Sequence, residues 1–194
     1  RGPFLLATFH PVTLEFEQTE TYVTNLLAAV ESTALPVVFT MPNADTSRGA
    51  ADRLISDFVR THSSAQYVDN LGTQGYFSLM TLAAAMVGNS SSGIIEAPSF
   101  GLPVVNIGTR QLGRVRARNV IDVGYNRDEI TEGLARALAP AFRQDILGLT
   151  NPYGSGHAAE RIAETLSSVP LDRALVEKRF RDIPQRNASV PVGV

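Results

Sequence analysis

The residues best suited to chemistry form the run Gly88-Asn89-Ser90-Ser91-Ser92-Gly93, which follows a short apolar stretch and precedes a helical pattern. A strand that ends in small polar residues and opens a helix presents free backbone N–H groups and the positive end of the helix dipole. Such a turn binds anions, and the serine hydroxyls would add donors to phosphate oxygens. An ordinary helix cap is the alternative, because Ser and Asn are the commonest capping residues. The run contains neither GxGxxG nor a P-loop lysine, so it predicts no dinucleotide fingerprint and no ATPase site.

A carboxylate and a group of arginines follow the serine run. Glu96 comes about one helical turn later, where it could accept the hydroxyl pair of a ribose or sugar, or be a solvated helix carboxylate. Four arginines then fall within nine residues of a predicted loop: Arg110, Arg114, Arg116 and Arg118. Guanidinium groups can clamp a diphosphate, and they are also common in solvated loops. We expect one of the four in a site and the others on the surface.

The three histidines are far apart in the sequence and predict different roles. His10 follows the first predicted strand, where open α/β sheets bind ligands, so it could donate to a phosphate or act as a general acid. A surface position is the alternative for a single loop histidine. His62 follows a helix end, where a surface role that offsets the helix dipole is expected. His157 is interpreted as structural or peripheral, and the spacing predicts neither a Ser-His-Asp triad nor a metal site.

Composition excludes several classes of protein. The 194 residues carry Lys+Arg 17 against Asp+Glu 19, so the chain lacks the basic excess of a nucleic-acid binder. No apolar run is long enough for a membrane span, and zero Cys excludes disulfides and thiolate chemistry. We therefore predict a cytoplasmic protein without nucleic-acid or membrane partners. Because the chain begins with Arg1 and enters a strand-like run at once, we also expect a fragment.

Apolar runs alternate with helical patterns, which predicts an α/β fold: a Rossmann-like parallel sheet with helices on both faces. The expected strands cover residues 3–9, 35–40, 65–68, 85–88, 103–107 and 119–123. The expected helices cover residues 13–33, with Thr13 as a possible cap, and 47–61, 76–84, 91–100, 127–139 and 155–166. We predict one domain over residues 1–170, then a charged segment and a disordered tail over residues 171–194.

Five segments in register resemble the carboxyl-terminal half of the hydrolysing UDP-N-acetylglucosamine 2-epimerases, the enzymes that begin sialic-acid and related nonulosonate synthesis. The resemblance covers roughly residues 5–175, and its order and spacing make it specific. The segments are His10-Pro11-Val12-Thr13, Pro42-Asn43-Ala44-Asp45, the serine run with Glu96, residues 100–111 (FGLPVVNIGTRQ) and Asn151-Pro152-Tyr153-Gly154. Two departures are the missing acidic residue in residues 113–118 and Ser155 in place of the usual Asp.

The resemblance implies a glycosyltransferase-B-like architecture in which UDP binds between two Rossmann-like halves, mostly on the second. It implies a role for each matching residue: His10 and Asn43 near the diphosphate and sugar, the Leu71 backbone against the uracil, Ser90 and Ser91 on the phosphates, Glu96 on the ribose, and Arg110 at the cleft edge. His10 is the auxiliary catalytic candidate. No cofactor and no metal is implied. The expected partners are UDP or a UDP-sugar, the missing amino-terminal half, and a second copy in a homo-oligomer.

In the family reaction a base removes the C2 proton while UDP leaves C1, and water adds to the resulting glycal from the other face. The resemblance places the catalytic carboxylates in the amino-terminal half, so the whole protein is expected to be an enzyme and this chain alone to be inactive. Three alternatives stay open. They are an epimerase for another UDP-diacetamido sugar, the donor-binding domain of a glycosyltransferase of the same architecture, and a non-catalytic nucleotide-sugar sensor.

Overall fold

A parallel β-sheet forms the centre of the protein. The computed structural model describes residues 2–40 and 48–177, and within them six strands form one sheet with the order β3-β2-β1-β4-β5-β6. Every neighbouring pair is parallel. The strands are β1 (Leu5–Thr8), β2 (Val37–Thr40), β3 (Ala65–Val68), β4 (Ala85–Gly88), β5 (Val104–Ile107) and β6 (Val120–Val123). The predicted Rossmann-like α/β fold is confirmed.

Mostly apolar runs form strands β1, β4 and β5 because both sheet faces are covered. Every residue of β1, β4 and β5 is buried. Alternate residues of β1 point to opposite faces, with Leu5 and Ala7 in one core cluster and Leu6 in the other. Three helices, α1 (Thr19–Ser32), α2 (Arg48–Thr61) and α5 (Arg127–Leu138), pack over the first face.

The second face is covered by α3 (Gly72–Leu82) and by a 3₁₀-helical segment over Ala97–Phe100. Five further helical elements lie in the described residues. They are a 3₁₀-helical segment over Thr13–Gln18, α4 (Ser92–Ile95), α6 (Pro140–Asp145), α7 (Ala158–Ser168) and α8 (Arg173–Val176).

Two predicted helices are interrupted in the structure, and a third, expected over residues 76–84, is observed over Gly72–Leu82. The helix expected over residues 13–33 begins instead with the 3₁₀-helical segment, which Glu15 interrupts with φ −125° and ψ 22°, and Thr13 does not cap it. The helix expected over residues 91–100 is divided into α4 and the following 3₁₀-helical segment. Pro98 lies within this second stretch and has no N–H to donate to the preceding turn, which disfavours a continuous α-helix there.

The chain divides into two compact units, Arg1–Tyr153 and Gly154–Val194, and α7 and α8 belong to the second. The domain boundary predicted after residue 170 stays a prediction. Asn43 and the tail from residue 178 lie outside the described residues. Among the residues that are described, no helix combines the length and apolar character that crossing a membrane requires.

His62 joins α1 to the end of α2. Its Nδ1 lies 2.8 Å from the Phe58 carbonyl oxygen, its Nε2 lies 3.2 Å from Glu31 Oε1, and its ring stacks on Phe58. Because both ring nitrogens face acceptors, the imidazolium is favoured. The Phe58 carbonyl and, second, the Glu31 carboxylate raise the pKa of His62 above its ordinary 6.5.

We expect His62→Gln to lower the free energy of unfolding more at pH 5.5 than at pH 8.5. A raised pKa in the folded state stabilises the protein fully below the ordinary pKa, and this contribution is lost as the pH rises through the raised value. Urea unfolding of both proteins at the two pH values measures the difference. Glu31→Gln should show a weaker pH dependence of the same sign, whereas a pH-independent loss in His62→Gln would contradict the assignment.

Candidate functional site

A cleft opens where the strand order of the sheet reverses. The chain runs from β1 outward to β2 and β3 and then returns to place β4 on the other side of β1. In open α/β sheets, ligands bind at the carboxyl ends of the strands at this point. The cleft has a volume of about 680 Å³, and residues following β1, β3, β4 and β5 line it, including His10, Leu71, Ser90 and Arg110.

Asn89 holds three of the loops around the cleft together. Its side chain is fully buried, and its Oδ1 accepts from His10 N at 2.7 Å while its Nδ2 donates to His10 O at 2.8 Å. Its main-chain carbonyl accepts from Arg110 Nη1 at 3.0 Å and from Gln111 Nε2 at 2.8 Å. The loops after β1, β4 and β5 are therefore fixed to one residue, which sets the relative positions of His10 and Arg110.

Hydroxyl groups form a chain along one wall of the cleft. Tyr76 OH lies 2.8 Å from Ser92 Oγ, which lies 2.8 Å from Ser90 Oγ. Ser91 is the N-cap residue of α4, yet its side chain makes no capping hydrogen bond. Because α4 has four residues, its dipole is small. The serine hydroxyls and Arg110 are therefore the main donors that this wall offers to an anion.

Of the four arginines, Arg110 is the one that lines the cleft among the described residues. Arg116 instead stabilises its own loop, with Nε 2.6 Å from Asp122 Oδ2 and a hydrogen bond from Nη1 to the Arg114 carbonyl. Arg114 and Arg118 are exposed. The structure places one arginine at the cleft, but Arg116 is half-buried and not on the surface as expected, and the role of Arg110 stays a prediction.

A second polar cluster holds the residue next to Arg110. Thr109 Oγ1 donates to Glu15 Oε1 at 2.6 Å, and Tyr125 OH lies 3.2 Å from Thr109 N. Hydrogen bonding from Thr109, and then from Tyr125, lowers the pKa of the Glu15 carboxyl. The ring of Tyr125 stacks on Tyr22 with centroids 3.6 Å apart. Residues 109–111 are thus anchored on both sides, by Glu15 and by Asn89.

The other predicted site residues lie in different surroundings. Leu71 precedes α3 at the cleft wall and is 36% exposed. Glu96 does not appear among the described residues that line the cleft. Burial raises the pKa of Glu96, while a hydrogen bond from its own backbone and the charge of Arg114 oppose this. Asn43 lies outside the described residues, so its place in the site stays a prediction.

The sequence predicted no site role for Thr8, Thr40, Tyr76 or Gln111, although Gln111 ends the family-like segment over residues 100–111. The hydroxyls of Thr8 and Thr40, at the ends of neighbouring strands, are hydrogen-bonded at the base of the cleft. Tyr76 belongs to a helix and Gln111 to a loop, and their types and spacing resemble those of many residues that have no role in a site. Thr8 and Thr40 could have been found from the sequence, because each is a polar residue at the end of an apolar strand.

Comparison with known proteins identifies the family. Residues 1–167 match the model of the family described as UDP-N-acetylglucosamine 2-epimerase. The chain belongs to this family. The match covers both the β1 loop with His10 and the serine run.

Curated relatives in the UDP-N-acetylglucosamine 2-epimerase family are about twice as long as this chain. The GDP/UDP-N,N'-diacetylbacillosamine 2-epimerase (hydrolyzing) of Campylobacter jejuni is 36% identical over 181 residues, 92% of this chain and 46% of the relative. The UDP-N,N'-diacetylbacillosamine 2-epimerase (hydrolyzing) of Legionella pneumophila is 34% identical over 173 residues, 89% and 45% of the two chains. The UDP-N-acetylglucosamine 2-epimerase of Neisseria meningitidis is 27% identical over 181 residues, 92% and 46% of the two chains.

Solved epimerase structures share the fold. The Staphylococcus aureus MnaA–UDP structure has a TM-score of 0.68 at 20% identity, over 85% of this chain and 45% of that one. The UDP-GlcNAc 2-epimerase of Neisseria meningitidis bound to UDP-GlcNAc has a TM-score of 0.60 at 22% identity, over 86% and 44% of the two chains. The chain thus has the architecture of one half of these glycosyltransferase-B-like enzymes, the carboxyl-terminal half.

Proposed function

We propose that this chain is the UDP-binding half of a hydrolysing UDP-sugar 2-epimerase. The observation that carries the proposal is the cleft at the sheet's switch point, where His10, the serine hydroxyls and Arg110 converge in a member of the epimerase family. A diphosphate needs convergent donors and a cation, and these residues supply both. The family match also favours an epimerase over a glycosyltransferase or a sensor.

The contribution of this half to the reaction is stabilisation of the leaving group. As the bond from C1 to UDP breaks, negative charge grows on the diphosphate, and donors already held in place stabilise that charge without rearrangement. Arg110 is held by the Asn89 carbonyl at 3.0 Å, so its guanidinium is positioned before the ligand arrives. His10 is placed as an auxiliary donor by the Asn89 side chain.

Removal of the C2 proton requires a base, and the described lining of the cleft offers no carboxylate next to Arg110 and the serine hydroxyls. Among the described residues that line the cleft, Asp69 is the one with a carboxylate. Asp69 follows β3 and Arg110 follows β5, and three strands of the sheet lie between β3 and β5. General base catalysis needs hydrogen-bond reach to the reacting proton. We therefore assign the catalytic carboxylates to the other half, and we expect no turnover by the 194-residue chain alone.

Two substrate classes fit the proposal, and the relatives favour the second. UDP-N-acetylglucosamine is the substrate that the family description names, whereas the relatives at 36% and 34% identity are named for diacetylbacillosamine. We infer that a UDP-diacetamido sugar is the stronger candidate. The test compares UDP release from both sugars by a polypeptide that carries both halves. Faster release from UDP-N-acetylglucosamine would reverse this choice.

Binding of UDP is tested by an amide chemical-shift titration of the 194-residue chain. We expect perturbations centred on Leu71, Ser90 to Ser92, Glu96 and Arg110. A folded sample whose amides do not respond to saturating UDP would overturn the proposed function of this half.

Arg110→Gln should weaken UDP binding by about tenfold to a hundredfold, because a hydrogen bond to a charged group contributes about 1.5–3 kcal/mol. The matched control is Arg60→Gln, which removes the same charge from α2, where Arg60 pairs with Asp57 at 3.3 Å on the surface. The same titration measures both variants. Equal affinities in the two variants would show that Arg110 does not contact the diphosphate.

A further inference from the structure

We propose that Tyr76 is a positioning residue that orients the Ser90 hydroxyl as a donor to the diphosphate, acting through Ser92. The inference rests on the proposed UDP-binding function. It concerns a residue on α3, an element that follows β3, acting on the turn that follows β4.

The three hydroxyls form a continuous path. Tyr76 OH lies 2.8 Å from Ser92 Oγ, and Ser92 Oγ lies 2.8 Å from Ser90 Oγ. All three residues line the cleft. The ring of Tyr76 packs against the core cluster that contains Leu6 and Met80, so the apolar core holds the phenol in place while its hydroxyl reaches the polar wall.

The acidity of the hydroxyl groups decides which of them donates and which accepts along this hydrogen-bonded path. A phenol is a stronger acid than an aliphatic alcohol, so Tyr76 is the better donor and Ser92 Oγ accepts from it. Ser92 then donates its own hydrogen to Ser90 Oγ, which also accepts from Ser92 N at 3.4 Å. With its oxygen already accepting, Ser90 directs its hydrogen elsewhere, toward the cleft. Burial raises the pKa of the Tyr76 phenol and hydrogen bonds with Ser92, Thr8 and Ser90 oppose this, so the hydroxyl is protonated at neutral pH, as tyrosines ordinarily are.

This order of donors favours an anion in the cleft. Each hydrogen bond in a chain polarises the next and strengthens it by about 10–30%. If the first donor is lost, the Ser92 hydroxyl can turn toward the ligand or toward Ser90, and Ser90 can donate back to Ser92. Ser90 then no longer donates its hydroxyl hydrogen to the diphosphate. The effect falls on phosphate recognition, whereas uracil and ribose recognition does not depend on it.

The test compares Tyr76→Phe with Tyr67→Phe in the 194-residue chain. Both changes remove one phenol hydroxyl, but Tyr67 OH donates to Asp52 Oδ1 at 2.6 Å and Tyr67 does not belong to the described lining of the cleft. Chemical-shift titrations with UDP and with uridine give relative affinities from their initial slopes. We expect Tyr76→Phe to weaken UDP binding about fivefold and to leave uridine binding unchanged. Tyr67→Phe should change neither.

A second comparison tests whether Tyr76 acts through Ser92. We expect Ser92→Ala to weaken UDP binding, and Tyr76→Phe to add no further loss in the Ser92→Ala background. Equal losses for UDP and uridine in Tyr76→Phe would assign the residue a structural role only and overturn the proposal. Additive losses in the double variant would overturn the path through Ser92. Absence of UDP binding in the unsubstituted chain would instead overturn the proposed function.

Discussion

Gly88→Ala should reduce the free energy of unfolding by about 4 kcal/mol or more, a large part of the roughly 5–15 kcal/mol by which domains are ordinarily stable. Gly88 ends β4 and pairs with Thr8 on one side and Asn106 on the other. Its φ is +134°, and a Cβ built on it would lie 1.9 Å from the Thr8 carbonyl oxygen. That oxygen belongs to the backbone of the central strand and accepts from Asn89 N, so it cannot move aside without breaking the sheet.

Gly101→Ala is the matched control for this substitution. Gly101 also has a positive φ, +56°, but a Cβ there would meet no heavy atom within 4 Å. It should therefore lose only the cost of a left-handed conformation in an alanine, about 1–2 kcal/mol. Urea unfolding followed by circular dichroism measures both variants. Equal losses in the free energy of unfolding would mean that the close approach of β1 and β4 does not restrict which side chain position 88 can carry.

Asn89→Ala should destabilise the protein by about 2–6 kcal/mol, because it leaves two buried backbone groups of His10 without their partners, at about 1–3 kcal/mol each. His10 is only 5% exposed, so water does not readily replace the lost bonds. The β1 loop then loses its connection to the turn after β4. We expect UDP affinity to fall as well, since the position of His10 relative to Arg110 depends on this connection.

Asn119→Ala is the control that separates the loss of stability from the loss of UDP affinity. Asn119 is as deeply buried as Asn89, and its Nδ2 donates to Leu102 O at 2.8 Å, but it precedes β6 and does not belong to the described cleft lining. It should destabilise the chain without changing UDP affinity in the folded protein. If Asn89→Ala does not fold, Asn89→Asp retains an acceptor for His10 N and allows the titration. UDP affinity unchanged in a folded Asn89 variant would contradict the positioning role.

The alternation of apolar runs and helical patterns was sufficient to predict the parallel sheet. Buried parallel strands favour near-continuous apolar residues, and the runs at β1, β4 and β5 are mostly apolar, with Thr8 and Asn106 as buried polar exceptions. Because all parallel strands end at one edge, the polar residues that follow β1 and β4 were expected to meet there. The structure brings His10 and the serine run to that edge.

Two local features, the backbone conformation at Glu15 and the proline at position 98, interrupt helices that the apolar spacing predicted as continuous. The apolar spacing of residues 13–33 is helical, yet the backbone at Glu15 leaves the helical region and a 3₁₀-helical segment precedes α1. Pro98 marked a break in the helix expected over residues 91–100, because proline lacks the N–H that a helix interior needs. The short α4 that results gives the serine turn little dipole, so the sequence argument from a helix N-terminus overestimated that contribution.

By itself, the sequence determined the fold class and the family, and it predicted the edge of the sheet as the place for a ligand. Periodicity acts over neighbouring residues, and a family pattern depends on residue types and spacing, so both can be read along the chain. The strand order, the connection of His10 to Asn89 across 79 positions, and the path from Tyr76 to Ser90 were decided only by the tertiary structure. These contacts depend on strand pairing and on side-chain packing between distant segments, and no local pattern encodes which buried polar groups will meet.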